Sequence, residues 1–213
     1  MAEPTTTAER FESLPQQREA ATLGMWTFLA TEVLFFGGLF VVYTVYRHFY
    51  YDDFAAASRR TDVLFGTINS VILLTSSLTM ALGVHAAKLS GSRNAIRPML
   101  LTISLGLAFL GIKGFEYHKD IVNHLVPGPD YNPDLSPHSQ IFFWMYWTMT
   151  GLHAVHVIIG LGVMTVVLIL LSHKSGKNIP PHVIENVGLY WHFVDIVWIY
   201  LYPLLYLVGG RHS

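Results

Sequence analysis

Tyr190-Trp191-His192-Phe193-Val194-Asp195-Ile196-Val197-Trp198 lies in the last hydrophobic stretch of a 213-residue chain. Asp195 is the only fixed charge between residues 187 and 208, a stretch long enough to cross a bilayer. An ionisable group inside such a stretch costs at least ~2.5–3.5 kcal/mol on insertion scales, so it has to face protein or water and find a partner. His192 precedes Asp195 by three residues, which puts both on one face of a helix and makes His192 the first candidate partner. Glu32, Glu116, His153 and His156 fall in apolar stretches in the same way. The fold is therefore expected to be a membrane bundle whose helices are joined by polar side chains.

The bulk composition agrees. The chain is 52% hydrophobic and 13% charged, against about 25% charged in an ordinary soluble domain. A formal net charge of −1 leaves no basic field for nucleic acid. The sequence has no cysteine, which excludes disulfides, iron–sulfur ligation, CxxCH haem attachment and a thiolate copper site. Residues 1–17 carry Glu3, Glu9 and Glu12 and lack the basic and apolar regions of a cleavable signal, so insertion is expected to be driven by the first span.

Five stretches qualify as spans: about 23–46, 63–87, 99–117, 141–171 and 187–208. The expected fold class is all-α: one polytopic bundle over 22–208, an N-terminal cytoplasmic tail at 1–21 and a C-terminal tail at 209–213. The segment 51–60 is polar and reads as a loop. The link 118–140 holds Pro127, Pro129, Pro133 and Pro137 and is expected to be non-helical. With the N-terminus inside, the inner segments carry Arg10, Arg18, Lys88, Arg93, Arg97, Lys174 and Lys177. The outer ones carry Arg47, Arg59, Arg60, Lys119 and Arg211. The balance favours N-in and C-out.

Each intramembrane polar residue admits a bland and a sharp reading. Glu32, amid Phe28, Phe35 and Phe36, makes a structural hydrogen bond or handles protons, and the first is favoured. Lys113 and Glu116, spaced i, i+3 near the end of the third span, form an ion pair within snorkelling reach of the surface. The Ser and Thr residues between 67 and 79 act as packing glue. His153 and His156 on one helix could hold a metal or, with His192, a b-type haem. The competing reading has the three histidines hydrogen-bonding to Glu32, Glu116 and Asp195. Trp191 and Trp198 flank the last pair.

Five motifs, in order, carry a resemblance. They are Trp26-x-Phe28-Leu29-x-x-Glu32 with Phe36; Asn69-Ser70-x-x-Leu73-Leu74-x-Ser76-Ser77; Leu105-Gly106-x-x-Phe109-Leu110 leading to Glu116-Tyr117; Thr150-Gly151-x-His153-x-x-His156-Val157-x-x-Gly160; and Tyr190-Trp191-His192-Phe193-Val194-Asp195-x-Val197-Trp198. One per span, they make the chain resemble subunit III of the haem–copper respiratory oxidases, in a short five-helix bacterial form that lacks the first two helices of the long form. The resemblance implies a non-redox accessory subunit of cytochrome c oxidase in the bacterial inner membrane. It would pack on subunit I, sit in a complex with subunit II and in some cases subunit IV or a supercomplex, and support proton uptake and turnover stability. It implies no cofactor in this chain, since haems and coppers belong to subunits I and II, with phospholipid as a further ligand. Glu32, Glu116, His153, His156, His192, Asp195, Trp191 and Trp198 then become structural residues or contacts to lipid or subunit I. The alternatives are subunit III of a quinol oxidase, an accessory subunit of nitric-oxide reductase, and a stand-alone b-type haem carrier.

Overall fold

The computed structural model describes residues 14–132, 135–173 and 179–209. Among them every regular element is helical: α1 (Leu14–Phe49), α2 (Tyr51–Ser58), α3 (Val63–Ser90), a 3-10 turn (Ser92–Ala95), α4 (Ile96–Val122), α5 (Ser139–Ser172) and α6 (Pro181–Tyr206). The boundaries follow local chemistry. Asp62 caps α3, accepting from the Phe65 amide, and Gly91 at φ 93° stops it. Burial pushes the Asp62 carboxyl up, but the hydrogen bond and charge of Lys119 outweigh this and hold it below the usual carboxylate range. Pro181 opens α6 at the first helical position, where a missing N–H leaves nothing unpaired.

Among the described residues, four helices are long and apolar enough to cross a membrane: Glu19–Phe49, Val63–Ser90, Ser92–Val122 and Ser139–Ser172. The expected fifth, α6, is not among them: its tyrosines and tryptophans carry polar heads, and His192 and Asp195 interrupt it. Even so, it runs the length of the bundle. Near its start Glu185 bonds Lys88 at the end of α3 (2.7 Å), and near its close Tyr202 meets Thr67 at the start of α3 (2.7 Å).

Three boundaries differ from expectation. Segment 51–58 is a helix, not a loop: Asp52 and Asp53 sit in its first turn, where they complement the helix dipole, and Phe54 and Ala57 are fully buried. The Phe54 ring meets Tyr43 and Phe142 edge-on at 5.5 and 5.6 Å. Helix α4 continues past residue 117 to Val122, so the non-helical link begins at Asn123. The described part of the expected N-terminal tail, from Leu14, is already α1. Expectations for residues 1–13, 133–134, 174–178 and 210–213 lie outside the described residues.

Helix α6 is the axis of the bundle. Its Trp191 and Trp198 are almost completely buried. The Trp191 ring lies against two glycines: a Cβ on Gly106 would sit 2.9 Å from it and one on Gly160 3.0 Å. In lipid, helices associate by this kind of close packing and by interhelical hydrogen bonds, because apolar burial gives little net drive there. The last carbonyls of α6 are satisfied from outside: Tyr43 donates to the Leu204 carbonyl and Ser58 to that of Leu205 (2.9 Å).

Candidate functional site

The deepest polar site is built by three helices near the C-terminal ends of α4 and α6. The spacing of Lys113, Glu116 and Asp120 puts them on one face of α4. Tyr146 comes from α5 and Tyr206 from the end of α6. The Lys113 ammonium donates to Glu116 Oε2 (3.1 Å), Tyr146 Oη (3.0 Å) and Tyr206 Oη (2.6 Å). Tyr206 donates to Glu116 Oε1 (2.7 Å), and Tyr146 lies 2.9 Å from Glu116 Oε1 and 3.0 Å from Asp120 Oδ2. The rings of Tyr117, Tyr146, Trp198 and Tyr206 surround the ammonium at 4.6–5.6 Å. Lys113 and Glu116 are 2% and 1% exposed, so the expected ion pair forms but does not snorkel. It is buried because α4 runs on beyond it and α5 and α6 close over it.

Glu32 and His156 form a second pair. His156 Nε2 lies 3.1 Å from Glu32 Oε2, joining α5 to α1, while its Nδ1 bonds the Leu152 carbonyl. Glu32 is partly exposed, with Phe28 and Phe35 turned outward and Phe36 buried beside His156. His153, three residues away, is buried between Phe109 of α4 and Trp198 of α6 with no hydrogen bond on either ring nitrogen.

The expected His192–Asp195 pair does not form. His192 Nδ1 shares a 2.7 Å hydrogen bond with Ser77 of α3. Asp195 is 3% exposed, and neither carboxyl oxygen completes a hydrogen bond; the Ser77 hydroxyl that lies beside it is engaged by His192. Of the three histidines, only His156 meets a carboxylate. They point at different neighbours: His153 at α4 and α6, His156 at α1, His192 at α3. They therefore do not converge as a ligand pair would. Among the described residues, no group of three or more His, Asp or Glu side chains is placed to hold a metal.

The hydroxyls of α3 do act as glue. Trp191 Nε1 donates to Ser76 Oγ (3.1 Å) and Trp198 Nε1 to Ser70 Oγ (3.0 Å), so each indole is both buried and satisfied. Thr79 and Thr102 join α3 to α4 at 2.7 Å, and Tyr117 and Thr150 join α4 to α5 at 2.7 Å.

Sequence reasoning missed Asp120, Tyr146 and Tyr206. A signal existed for Asp120, which follows Glu116 by one helical turn, but it was hidden by ending the span at residue 117. No local pattern marks the two tyrosines, whose partners lie 26 or more residues away.

The family model described as Cytochrome c oxidase subunit III matches residues 61–210. Cytochrome c oxidase subunit 3 of Alkalihalophilus pseudofirmus is 34% identical over 209 residues, covering 93% of this chain and 95% of that one. A probable quinol oxidase subunit 3 of Staphylococcus haemolyticus is 27% identical, with 95% and 96% covered. A Heme-copper oxidase subunit I+III of Aeropyrum pernix is 30% identical over 92% of this chain, which spans 24% of that longer protein.

Proposed function

The chain belongs to the cytochrome c oxidase subunit III family, and from that membership we propose that it is the non-redox accessory subunit of a proton-pumping cytochrome c oxidase. Membership makes it a subunit of a haem–copper oxidase, an oxidoreductase complex. The proposal adds cytochrome c as donor, packing on subunits I and II in a bacterial inner membrane, and support of proton uptake and turnover stability. The observation that carries it is the match to a cytochrome c oxidase subunit 3 along almost the whole of both chains. The fused I+III relative supports packing against subunit I, since one polypeptide there carries both parts.

Topologically, the proposal has five crossings in one domain, N-in and C-out, with α6 as the fifth. The outward side of α1 bears Leu23, Trp26, Leu34 and Val41, each more than half exposed. This side is the proposed seat of another subunit or of phospholipid, and Glu32, Glu116, His153, His156, His192, Asp195, Trp191 and Trp198 brace the helices behind it.

An affinity tag on this chain tests the reading. The purified complex is expected to contain subunits I and II, to show haem absorption and to oxidise ferrocytochrome c. Removing the chain is expected to leave an enzyme that starts active and inactivates during turnover. A complex that accepts only quinol overturns the donor. Unchanged turnover lifetime after removal overturns the accessory role.

A further inference from the structure

The buried cluster around Lys113 needs one more hydrogen than its usual charge states provide. Lys113 brings three, which go to Glu116 Oε2, Tyr146 Oη and Tyr206 Oη. Tyr206 brings one, which goes to Glu116 Oε1. Tyr146 brings one, yet its oxygen is within bonding distance of both Glu116 Oε1 and Asp120 Oδ2. One hydroxyl hydrogen does not serve two carboxylate oxygens, so one of those two bonds has to be donated by a carboxyl. Glu116 touches the ammonium directly and is the natural anion; Asp120 has no bond to Lys113.

We propose that Asp120 holds a bound, exchangeable proton, making Lys113, Glu116, Asp120, Tyr146 and Tyr206 a one-proton site of zero net charge. Asp120 then donates to Tyr146 Oη, and Tyr146 donates to Glu116 Oε1. Every hydrogen and every facing oxygen is used. The ligand is a single hydron, and its release transfers it to water or buffer base at the α4–α5 link, without oxidation or reduction. Asp120 stands in the last turn of α4, where its carbonyl accepts from Leu125 of that link (2.9 Å). The charged and titratable groups around it are Lys113, Glu116, Tyr117 and Lys119 on α4, Tyr146 on α5 and Tyr206 on α6. His153 on α5 lies beyond Lys113. Lys119 is turned to Asp62 at 2.8 Å and leaves Asp120 without a direct cation. Loss of the proton leaves two carboxylates sharing one tyrosine hydrogen in a site shielded from water, which is unfavourable.

The test uses the purified oxidase containing the full chain, with aspartate carboxyls labelled with carbon-13. The infrared difference between wild type and Asp120→Asn at neutral pH is expected to contain a protonated-carboxyl stretch that moves with the aspartate label. A carboxylate band in its place overturns the proposal. So does a protonated band that moves only with labelled glutamate, which puts the proton on Glu116. Stability supplies a second measurement. Asn reproduces a neutral Asp that donates to Tyr146, so Asp120→Asn is expected to keep the thermal midpoint within about 2 °C of wild type. Glu116→Gln strands the ammonium and is expected to lower it by about 6 °C or more. The reverse order, or equal losses, overturns the assignment.

Discussion

Ser77 determines what His192 can do. Its hydroxyl holds the imidazole Nδ1 at 2.7 Å and ties α6 to α3 about halfway along both helices. The spacing of His192 and Asp195 is compatible with a pair, but spacing within one helix does not decide which neighbouring helix offers a better partner. Here α3 presents Ser70, Ser76 and Ser77 along the side that α6 packs on, and His192 turns to the last of these. Asp195 is left buried beside the same Ser77 hydroxyl, without a completed hydrogen bond of its own. The uncharged isostere Asp195→Asn is therefore expected to retain the subunit in mild detergent as well as wild type does. Ser77→Ala removes a real interhelical bond and is expected to cost about 1 kcal/mol, within the modest range such bonds show in membranes. Retention of the chain during detergent titration of the oxidase measures both. Shedding by Asp195→Asn with no effect of Ser77→Ala would show that the carboxylate, not the hydroxyl, holds α6.

At the scale of elements, the end of α4 is the most informative. Leu125 N bonds the Asp120 carbonyl (2.9 Å) and His124 N bonds that of Ile121 (3.1 Å), the paired closure of a Schellman motif. His124 stands at the left-handed position, φ 55°, which glycine usually fills. A side chain there carries a strain of ~1–2 kcal/mol. His124→Gly removes it at some cost in unfolded-chain entropy and is expected to raise stability by about 0.5–1 kcal/mol, read as an upward shift in the thermal midpoint of the purified complex. A loss of stability would mean that the imidazole makes a compensating contact at the link. The same region shows what sequence can and cannot reveal. Hydrophobic run length identified α1, α3, α4 and α5 because it is a local property. The prolines at 127 and 129 correctly marked a non-helical link, but they gave no account of where before them the helix stops. That stop is set by a cap geometry without the customary glycine. The face shared by Lys113 and Glu116 was readable from spacing. The tyrosines that complete it were not, because they arrive from α5 and α6 through packing.

For the whole molecule, polar contacts divide the bundle into two ends. At one, Arg59 donates to the Gly209 carbonyl, Asp62 pairs with Lys119 at 2.8 Å and His138 Nδ1 approaches Asp53 at 3.5 Å. At the other, Lys88 pairs with Glu185, Ser92 donates to the Ile179 carbonyl and Arg93 to that of His173. Helix α6 reaches from the second end to the first, so if α3, α4 and α5 cross the bilayer, α6 crosses beside them. The proposed N-in orientation puts the second end, with Lys88, Arg93 and Arg97, in the cytoplasm and the first end, with Arg47, Arg59, Arg60 and Lys119, outside. Because the chain has no cysteine, single introduced thiols report position without background. Asn94 and Asp130 are exposed at opposite ends and Leu207 is half exposed at the close of α6. In intact cells a membrane-impermeant maleimide is expected to label Asp130→Cys and Leu207→Cys but to reach Asn94→Cys only after permeabilisation. Labelling of Asn94→Cys alone in intact cells would invert the orientation. Leu207→Cys protected together with Asn94→Cys, while Asp130→Cys reacts, would mean that α6 does not cross and that the bundle has four spans.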